Sequence, residues 1–187
     1  MELTEREKRV LLSAARQSIK KIFFEETEIF SPDYDSNPNL KLPLGAFVTL
    51  KIEDKLRGCI GYIVTQMTLL ETVREAAKQA AFRDPRFPPM TVEEFDEIEI
   101  EISVLSQPQK INDYDEIIIG KHGLILQNAM THAVLLPQVA VTNNFSREEF
   151  LSALCEKGGL QPNYWQRHKL NLKVFTAEIF SEEEKRE

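Results

Sequence analysis

The chain has 187 residues, of which 28% are charged and 42% are apolar, so it is long enough for one soluble domain with a buried core. Its net charge of −7 argues against general nucleic-acid binding, which needs a clustered excess of Lys and Arg. The polar first residues do not resemble a secretory signal, and no apolar run approaches the roughly 20 residues of a membrane span, so we expect a cytoplasmic protein.

The chain begins with a predicted helix followed by a predicted hairpin. A T-x-x-E capping box starts the helix at Thr4, and apolar residues at helical spacing carry it beyond Phe24. Residues 31–42 are rich in Pro, Asn and Asp, which predicts a loop that acts as a lid or a covering arm. The segments 45–52 and 56–64 then alternate as two strands, and the short turn between them favours antiparallel pairing.

The next segments alternate between helix and strand signals. A second capping box at Thr68 opens an alanine-rich helix, and a third at Thr91 opens a short one. Between them, the three prolines of Asp84–Pro89 exclude both helix and central strand. Residues 97–104 alternate almost perfectly and give the clearest strand pattern in the chain, with isoleucines facing inward and glutamates facing solvent.

The remaining chain predicts a small β meander, two helical segments and a last strand. A fourth capping box at Ser146 opens a helix that buries Cys155, a short turn or helix begins at Pro162, and a strand covers 170–180. The charged tail 181–187 is expected to fray. The meander is built from the short apolar runs 117–119, 123–127 and 133–136.

Helices mixed with mostly antiparallel strands are typical of the α+β class. We therefore predict a single domain over 1–187 with a mostly antiparallel sheet flanked by helices. The meander is expected to form part of a smaller lobe over about 108–145.

The stretch Leu56–Gly61 is the candidate site. In an extended strand, residues two apart share a face, so Arg57 and Cys59 should lie side by side, with Leu56 on the opposite face. Gly58 and Gly61 indicate close approach of a ligand or of another backbone, or a bulge. An arginine near a thiol would favour the thiolate form.

Two interpretations of Cys59 stay open. It is either a buried small hydrophobe, as free cysteines commonly are, or a nucleophile. A nucleophilic cysteine needs a base, and none of His122, His132 and His168 lies in a recognisable catalytic context.

The remaining candidate residues also have two interpretations. Asp84 and Arg86 could simply pair with each other, or Arg86 could join Arg57 in holding an anionic group while Asp84 orients the chemistry. Gln138 is either a hydrogen-bonded core amide or a specificity contact.

No metal site and no cofactor are predicted. The three histidines and two cysteines show no ligand spacing, and no phosphate-binding glycine loop is present. Cys59 and Cys155 lie far apart in a chain without an export signal, so two free thiols are expected.

The motifs together resemble the AMME chromosomal-region family, whose prokaryotic members are component A of the AmmeMemoRadiSam system. The resemblance covers about 45–180 and rests on four blocks of sequence. They are Leu-Arg-Gly-Cys-Ile-Gly (56–61), Asp-Pro-Arg-Phe-Pro-Pro (84–89), the 100–106 strand with Gly-Lys-His-Gly-Leu-Ile (120–125), and Leu-Leu-Pro-Gln-Val-Ala (135–140). This chain departs from the family pattern at 131–133 and at 142–145.

The resemblance implies two unequal lobes with the hexapeptide 56–61 lining a cleft between them. It implies no established reaction, although a part in nucleotide or RNA modification has been suggested for the family. It also implies Memo-like and radical-SAM proteins as pathway partners.

Two functions follow as hypotheses. The first is an enzyme that binds a small anionic or nucleotide-like substrate through Arg57, Arg86, Gly58, Gly61 and Gln138, with Cys59, Arg57 and Asp84 as catalytic residues. The second is a binding or adaptor module that uses the same cleft for a protein partner without chemistry.

Overall fold

A computed structural model describes residues 2–26, 32–127 and 131–182 and divides the chain into two compact units. The first unit runs to Leu105 and includes the chain from Glu178 onward, whereas the second spans Ser106–Ala177. Both units contain helices and antiparallel strand pairs, which confirms the predicted α+β class. Fraying was predicted for the tail 181–187, of which residues 183–187 lie outside the described ranges.

Among the described residues, the first unit contains a four-stranded sheet and three α-helices. Its strands lie in the order β2-β1-β3-β8. The strands are β1 (Ala46–Ile52), β2 (Lys55–Tyr62), β3 (Glu99–Leu105) and β8 (Ala177–Ser181), and the helices are α1 (Glu5–Phe23), α2 (Leu69–Phe82) and α3 (Val92–Glu97).

The predicted capping boxes start these helices. In each of α1, α2 and α3 a threonine side chain accepts the N–H of the glutamate three residues on, and that carboxylate accepts the threonine N–H in return. Helix α1 ends at Phe23, slightly earlier than the pattern predicted. A 3₁₀ turn over Pro38–Lys41 lies within the segment predicted as loop, and residues 27–31 lie outside the described ranges.

The core of the first unit lies between one face of the sheet and helices α1 and α2. The alternate residues of β1 and β3 that face the helices are almost completely buried, as are the alanines of α2. Small alanine side chains allow a helix to approach a sheet closely. The members of this face are Ala46, Val48, Leu50, Ile100, Ile102 and Val104.

The β1–β2 hairpin turns tightly and then bulges. Glu53 and Asp54 both have positive φ, 48° and 60°, as a two-residue type I′ turn requires. The register pairs Lys51 with Leu56 but Leu50 with Gly58, so Arg57 is an extra residue in β2.

Because of this bulge, the alternation of faces predicted for residues 56–61 is wrong for Leu56. Directly opposed residues of two strands point to the same face of a sheet, so Leu56 shares the face of Lys51, and Cys59 shares that of Thr49. Leu56 and Cys59 therefore lie on the same face, which we call the outer face because it is opposite the core. Simple parity had placed Leu56 on the other side, because parity cannot reveal an inserted residue.

The second unit is a second four-stranded antiparallel sheet with helices. Its strand order is β4-β7-β5-β6. It contains β4 (Gln109–Lys110), β5 (Gly123–Gln127), β6 (His132–Leu135), β7 (Leu172–Phe175), α4 (Pro137–Thr142), α5 (Arg147–Lys157) and α6 (Tyr164–Arg167).

Two strand predictions in this region are wrong. Residues 117–119 form no strand, since they follow a 3₁₀ turn and lead into a turn where Lys121 N and His122 N donate to Ile118 O. The predicted last strand is in fact two strands, β7 and β8, in two different sheets. The alternating pattern continues through the break at Thr176, so periodicity does not show the change of partner strand.

Among the residues described, no helix has the length and apolarity that crossing a membrane would need.

Candidate functional site

Gly58 lets the hexapeptide strand pack directly against helix α2. A Cβ atom at Gly58 would lie 2.2 Å from the carbonyl oxygen of Ala80, a distance that no side chain can tolerate. Because the neighbouring atom belongs to a backbone, it cannot move aside easily. The close approach predicted for this glycine is therefore to a helix backbone.

At Gly61 the nearest atoms belong to strand β1, and mainly to an aromatic ring, rather than to a helix. A Cβ atom there would lie 2.4 Å from the Phe47 ring and 2.5 Å from Ala46 O. The Phe47 ring thus lies against Gly61, on the outer face, and occupies the space that the missing side chain leaves.

Arg57 is buried at the bulge and bound to Glu94. Its Nε and Nη2 donate to the two carboxylate oxygens of Glu94 at 2.7 and 2.8 Å, and Nη2 also donates to Pro88 O at 2.9 Å. Only 9% of the Arg57 side chain is exposed, whereas 32% of the Glu94 side chain is exposed, so the arginine is buried and its bidentate partner reaches the surface. The hydrogen bond from Arg57 lowers the pKa of Glu94 and keeps it ionised.

Asp84 and Arg86 cover the free edge of strand β2. The Oδ2 atom of Asp84 accepts the N–H of Cys59 at 2.9 Å, and Arg86 Nη2 donates to the Cys59 carbonyl at 3.3 Å. Arg86 also donates from Nε and Nη2 to the two oxygens of Asp84, at 2.9 and 2.7 Å. These hydrogen bonds hold the pKa of Asp84 far below its usual range. The two side chains thus give Cys59 the contacts that a neighbouring strand would give.

The two arginines meet at one aromatic ring. The guanidinium carbons of Arg57 and Arg86 lie 5.7 and 5.6 Å from the centre of the Phe87 ring. The structure therefore brings Arg57, Arg86, Asp84 and Cys59 into one cluster, as expected for a site. Each arginine is, however, already paired with a carboxylate of the same unit.

Cys59 is half-buried, and its sulfur accepts a hydrogen bond from the Thr49 hydroxyl at 3.3 Å. Both cysteines are free thiols, and Cys155 is completely buried. All three histidines belong to the second unit, so the first unit contains no histidine that could act as a base for Cys59.

Gln138 lies in α4 of the second unit. Its Oε1 atom is buried and accepts no hydrogen bond from the described residues. Among the described residues, the side-chain oxygen of Gln138 therefore lacks the hydrogen bond that a satisfied core amide would have.

Three residues of the cluster were not among the sequence candidates, namely Glu94, Thr49 and Phe87. Glu94 was recognised only as a capping-box residue. A buried arginine in an apolar strand requires a carboxylate partner. The sequence therefore did indicate that some Asp or Glu should pair with Arg57, although not which one. Thr49 and Phe87 carry no comparable signal, since only the strand register and the loop conformation bring them to the site.

Within the described ranges, no three residues of the types His, Cys, Asp and Glu gather as a metal ion would need. The guanidinium and carboxylate groups of the cluster bind one another. What the cluster presents outward is the Cys59 thiol, the Thr49 hydroxyl and the exposed part of Arg86, whose side chain is 53% exposed.

The protein is therefore a mixed α+β protein of two compact units. Its hexapeptide 56–61 packs against helix α2 and is bound along its edge by the proline-rich loop 84–89. The family model AMMECR1 matches residues 12–180, and the chain belongs to this family. This confirms the resemblance that the four sequence blocks indicated.

The similar proteins are themselves uncharacterised. A protein of Thermofilum pendens is 37% identical, with 96% of this chain and 92% of that one covered, and a protein of Methanosarcina mazei is 39% identical, with 97% and 94% covered. The crystal structure of the uncharacterized protein PH0010 from Pyrococcus horikoshii matches with a TM-score of 0.83 at 35% identity, covering 98% of this chain and 95% of that one.

Proposed function

We propose that this protein is a binding module that docks a protein partner on the outer face of the first unit's sheet, around Cys59. The observation that carries the proposal is the internal pairing of both arginines. An enzyme acting on an anion would need a guanidinium group whose charge is not already balanced by a carboxylate, whereas Arg57 is paired with Glu94, and the half-exposed Arg86 is paired with Asp84.

The chemistry of the outer face supports a protein partner. Leu56 is 43% exposed there, beside the half-buried Cys59 and Phe47. Lys51 and Glu101 form an ion pair at 2.8 Å on the same face. Apolar side chains bordered by charged pairs are typical of protein interfaces.

The expected partners are the Memo-like and radical-SAM proteins, and the proposal places their meeting in the cytoplasm, where free thiols such as Cys59 persist. Isothermal titration of the purified chain with each of these proteins from the same genome tests it. Binding to one of them is expected, and Cys59→Ser should bind with unchanged affinity.

A pair of matched variants locates the surface. Leu56→Asp puts a charge on the outer face and should weaken binding at least tenfold, as substitution at an interface centre does. Ile118→Asp makes the same kind of change at a 50% exposed isoleucine of the second unit and should have no effect. If neither protein binds, or if Leu56→Asp binds as tightly as the unaltered chain, the proposal is wrong.

One observation favours the enzyme as a second candidate. The half-exposed Cys59 receives a hydroxyl hydrogen bond from Thr49, which is a suitable setting for a reactive sulfur. If the protein is an enzyme, Cys59→Ser should abolish turnover of its substrate and leave the fold intact. The binding module predicts no such loss of function, because partner binding does not need the thiol.

A further inference from the structure

The second unit contains a pocket that none of the motif residues reaches. Its volume is about 320 Å³, at the small end of the range for small-molecule sites. It is lined by two aromatic residues, Tyr114 and Trp165, and by the consecutive basic residues Arg167, His168 and Lys169. This combination of residues was not singled out by any sequence motif.

The aromatic wall of the pocket is fixed in place. The Nε1–H of Trp165 donates to Ser152 Oγ at 3.0 Å, and the Tyr114 hydroxyl accepts the N–H of Leu170 at 2.9 Å. The two rings pack edge to face, with centres 5.9 Å apart at 81°. A planar ligand would therefore meet a surface that needs no rearrangement to receive it.

The basic side of the pocket is available for a ligand. Arg167, His168 and Lys169 are all exposed, and neither Arg167 nor Lys169 forms an ion pair with any residue in the described ranges. The His168 ring stacks on Tyr164 at 4.1 Å, which holds the segment in position. Among the described residues that line the pocket, Asp113 is the single carboxylate, so the pocket is locally positive in a chain of net charge −7.

We propose that this pocket binds a nucleotide, with the base against Trp165 and Tyr114 and the phosphate held by Arg167 and Lys169. Aromatic rings stack on bases of any identity, and guanidinium and ammonium groups bind phosphate oxygens. The volume suits one nucleotide. This site lies in a different unit from the proposed docking face and does not depend on it.

The combination of groups distinguishes this ligand from simpler ones. Inorganic phosphate would leave the aromatic wall unused, and a neutral aromatic compound would leave the basic residues unused. The nucleotide can be a free mononucleotide or one nucleotide of a single-stranded RNA, since both present the same base and phosphate.

Trp165 is the only tryptophan of the chain, so its fluorescence reports directly on this pocket. We expect AMP to quench it saturably, after correction against N-acetyltryptophanamide titrated in parallel. Adenosine and inorganic phosphate, each tested alone, should bind about tenfold more weakly, since each lacks half of the contacts. Tighter binding of penta-adenylate than of AMP would identify RNA as the source, and equal binding would identify the free nucleotide.

Matched double variants separate the pocket from general charge effects. Replacing Arg167 and Lys169 by alanine should weaken AMP binding at least tenfold and should reduce its sensitivity to salt. The control replaces by alanine Lys20 and Lys21 of α1, which are also exposed basic residues and lie in the other unit, and it should leave binding unchanged. The proposal is overturned if neither AMP nor penta-adenylate quenches saturably, or if the pocket variant binds as tightly as the control.

Discussion

The carboxylate of Asp84 accepts the backbone N–H of Cys59 at 2.9 Å, where the carbonyl of an adjacent strand would otherwise lie. Strand β2 is at the edge of its sheet, and an open edge exposes unpaired backbone groups to other chains. Asp84 and Arg86 together satisfy both backbone groups of Cys59. The proline-rich loop therefore completes the sheet at the position of the thiol.

Asp84→Ala should lower the free energy of unfolding of the first unit by about 2 kcal/mol, because it leaves the Cys59 N–H and the Arg86 guanidinium without their charged partner. Urea unfolding followed by circular dichroism measures the change. Asp96→Ala, at an exposed position of α3, is the control and should cost much less. Equal losses in the two variants would show that Asp84 does not hold the edge.

The Arg57–Glu94 ion pair should make the stability of the fold depend on pH. The pKa of Glu94 is lowered in the folded chain, so the unfolded chain binds more protons at pH values between the folded pKa and the unfolded glutamate pKa of about 4.3. The stabilisation is therefore complete above that pH and is lost as pH falls through the folded value. Glu94→Gln should be less stable than the unaltered chain at neutral pH, and the difference should shrink below about pH 4.

Unfolding measured across the acid range tests this convergence. Asp96→Asn is a suitable control, since Asp96 is exposed, lies in the same helix and does not pair with Arg57. A stability difference between Glu94→Gln and the unaltered chain that stays constant with pH would mean that the Arg57–Glu94 pair is not its source.

Local signals predicted much of this fold. The four capping boxes placed the starts of α1, α2, α3 and α5, and alternation placed β1, β2 and β3, because both patterns depend on residues close in sequence. The family blocks located the cluster around Cys59. These signals gave the identity of the site's residues and the elements that carry them.

The arrangement within the site depends on contacts that are distant in sequence. The bulge at Arg57 inserts one residue into a strand without disturbing its apolar composition, so the face of Leu56 was predicted wrongly. Glu94 lies 37 residues from Arg57, and nothing local distinguishes it from the other capping glutamates. The division of 170–180 between two sheets similarly depends on which strands lie beside it.

Gly58→Ala should destabilise the first unit by about 1–3 kcal/mol or more, since the added Cβ would overlap the carbonyl oxygen of Ala80. Thermal unfolding measures this loss. Because the contact is with a backbone atom, Ala80→Gly should not restore stability in the double variant. Recovery in that double variant, or an unchanged melting temperature in Gly58→Ala, would contradict the close packing of β2 on α2.

The two thiols should differ sharply in accessibility. Cys59 is half-buried, whereas Cys155 is completely buried and its burial raises the pKa of the thiol, which leaves less thiolate at a given pH. Iodoacetamide should therefore alkylate Cys59 in the folded chain and Cys155 only after unfolding in urea, as mass spectrometry of digested protein can show. Cys59→Ser is the control and should take up no label while folded. Labelling of Cys155 at the rate of Cys59 would show that α5 opens in the native state, and resistance of Cys59 would remove its thiol from the surface that we propose a partner contacts.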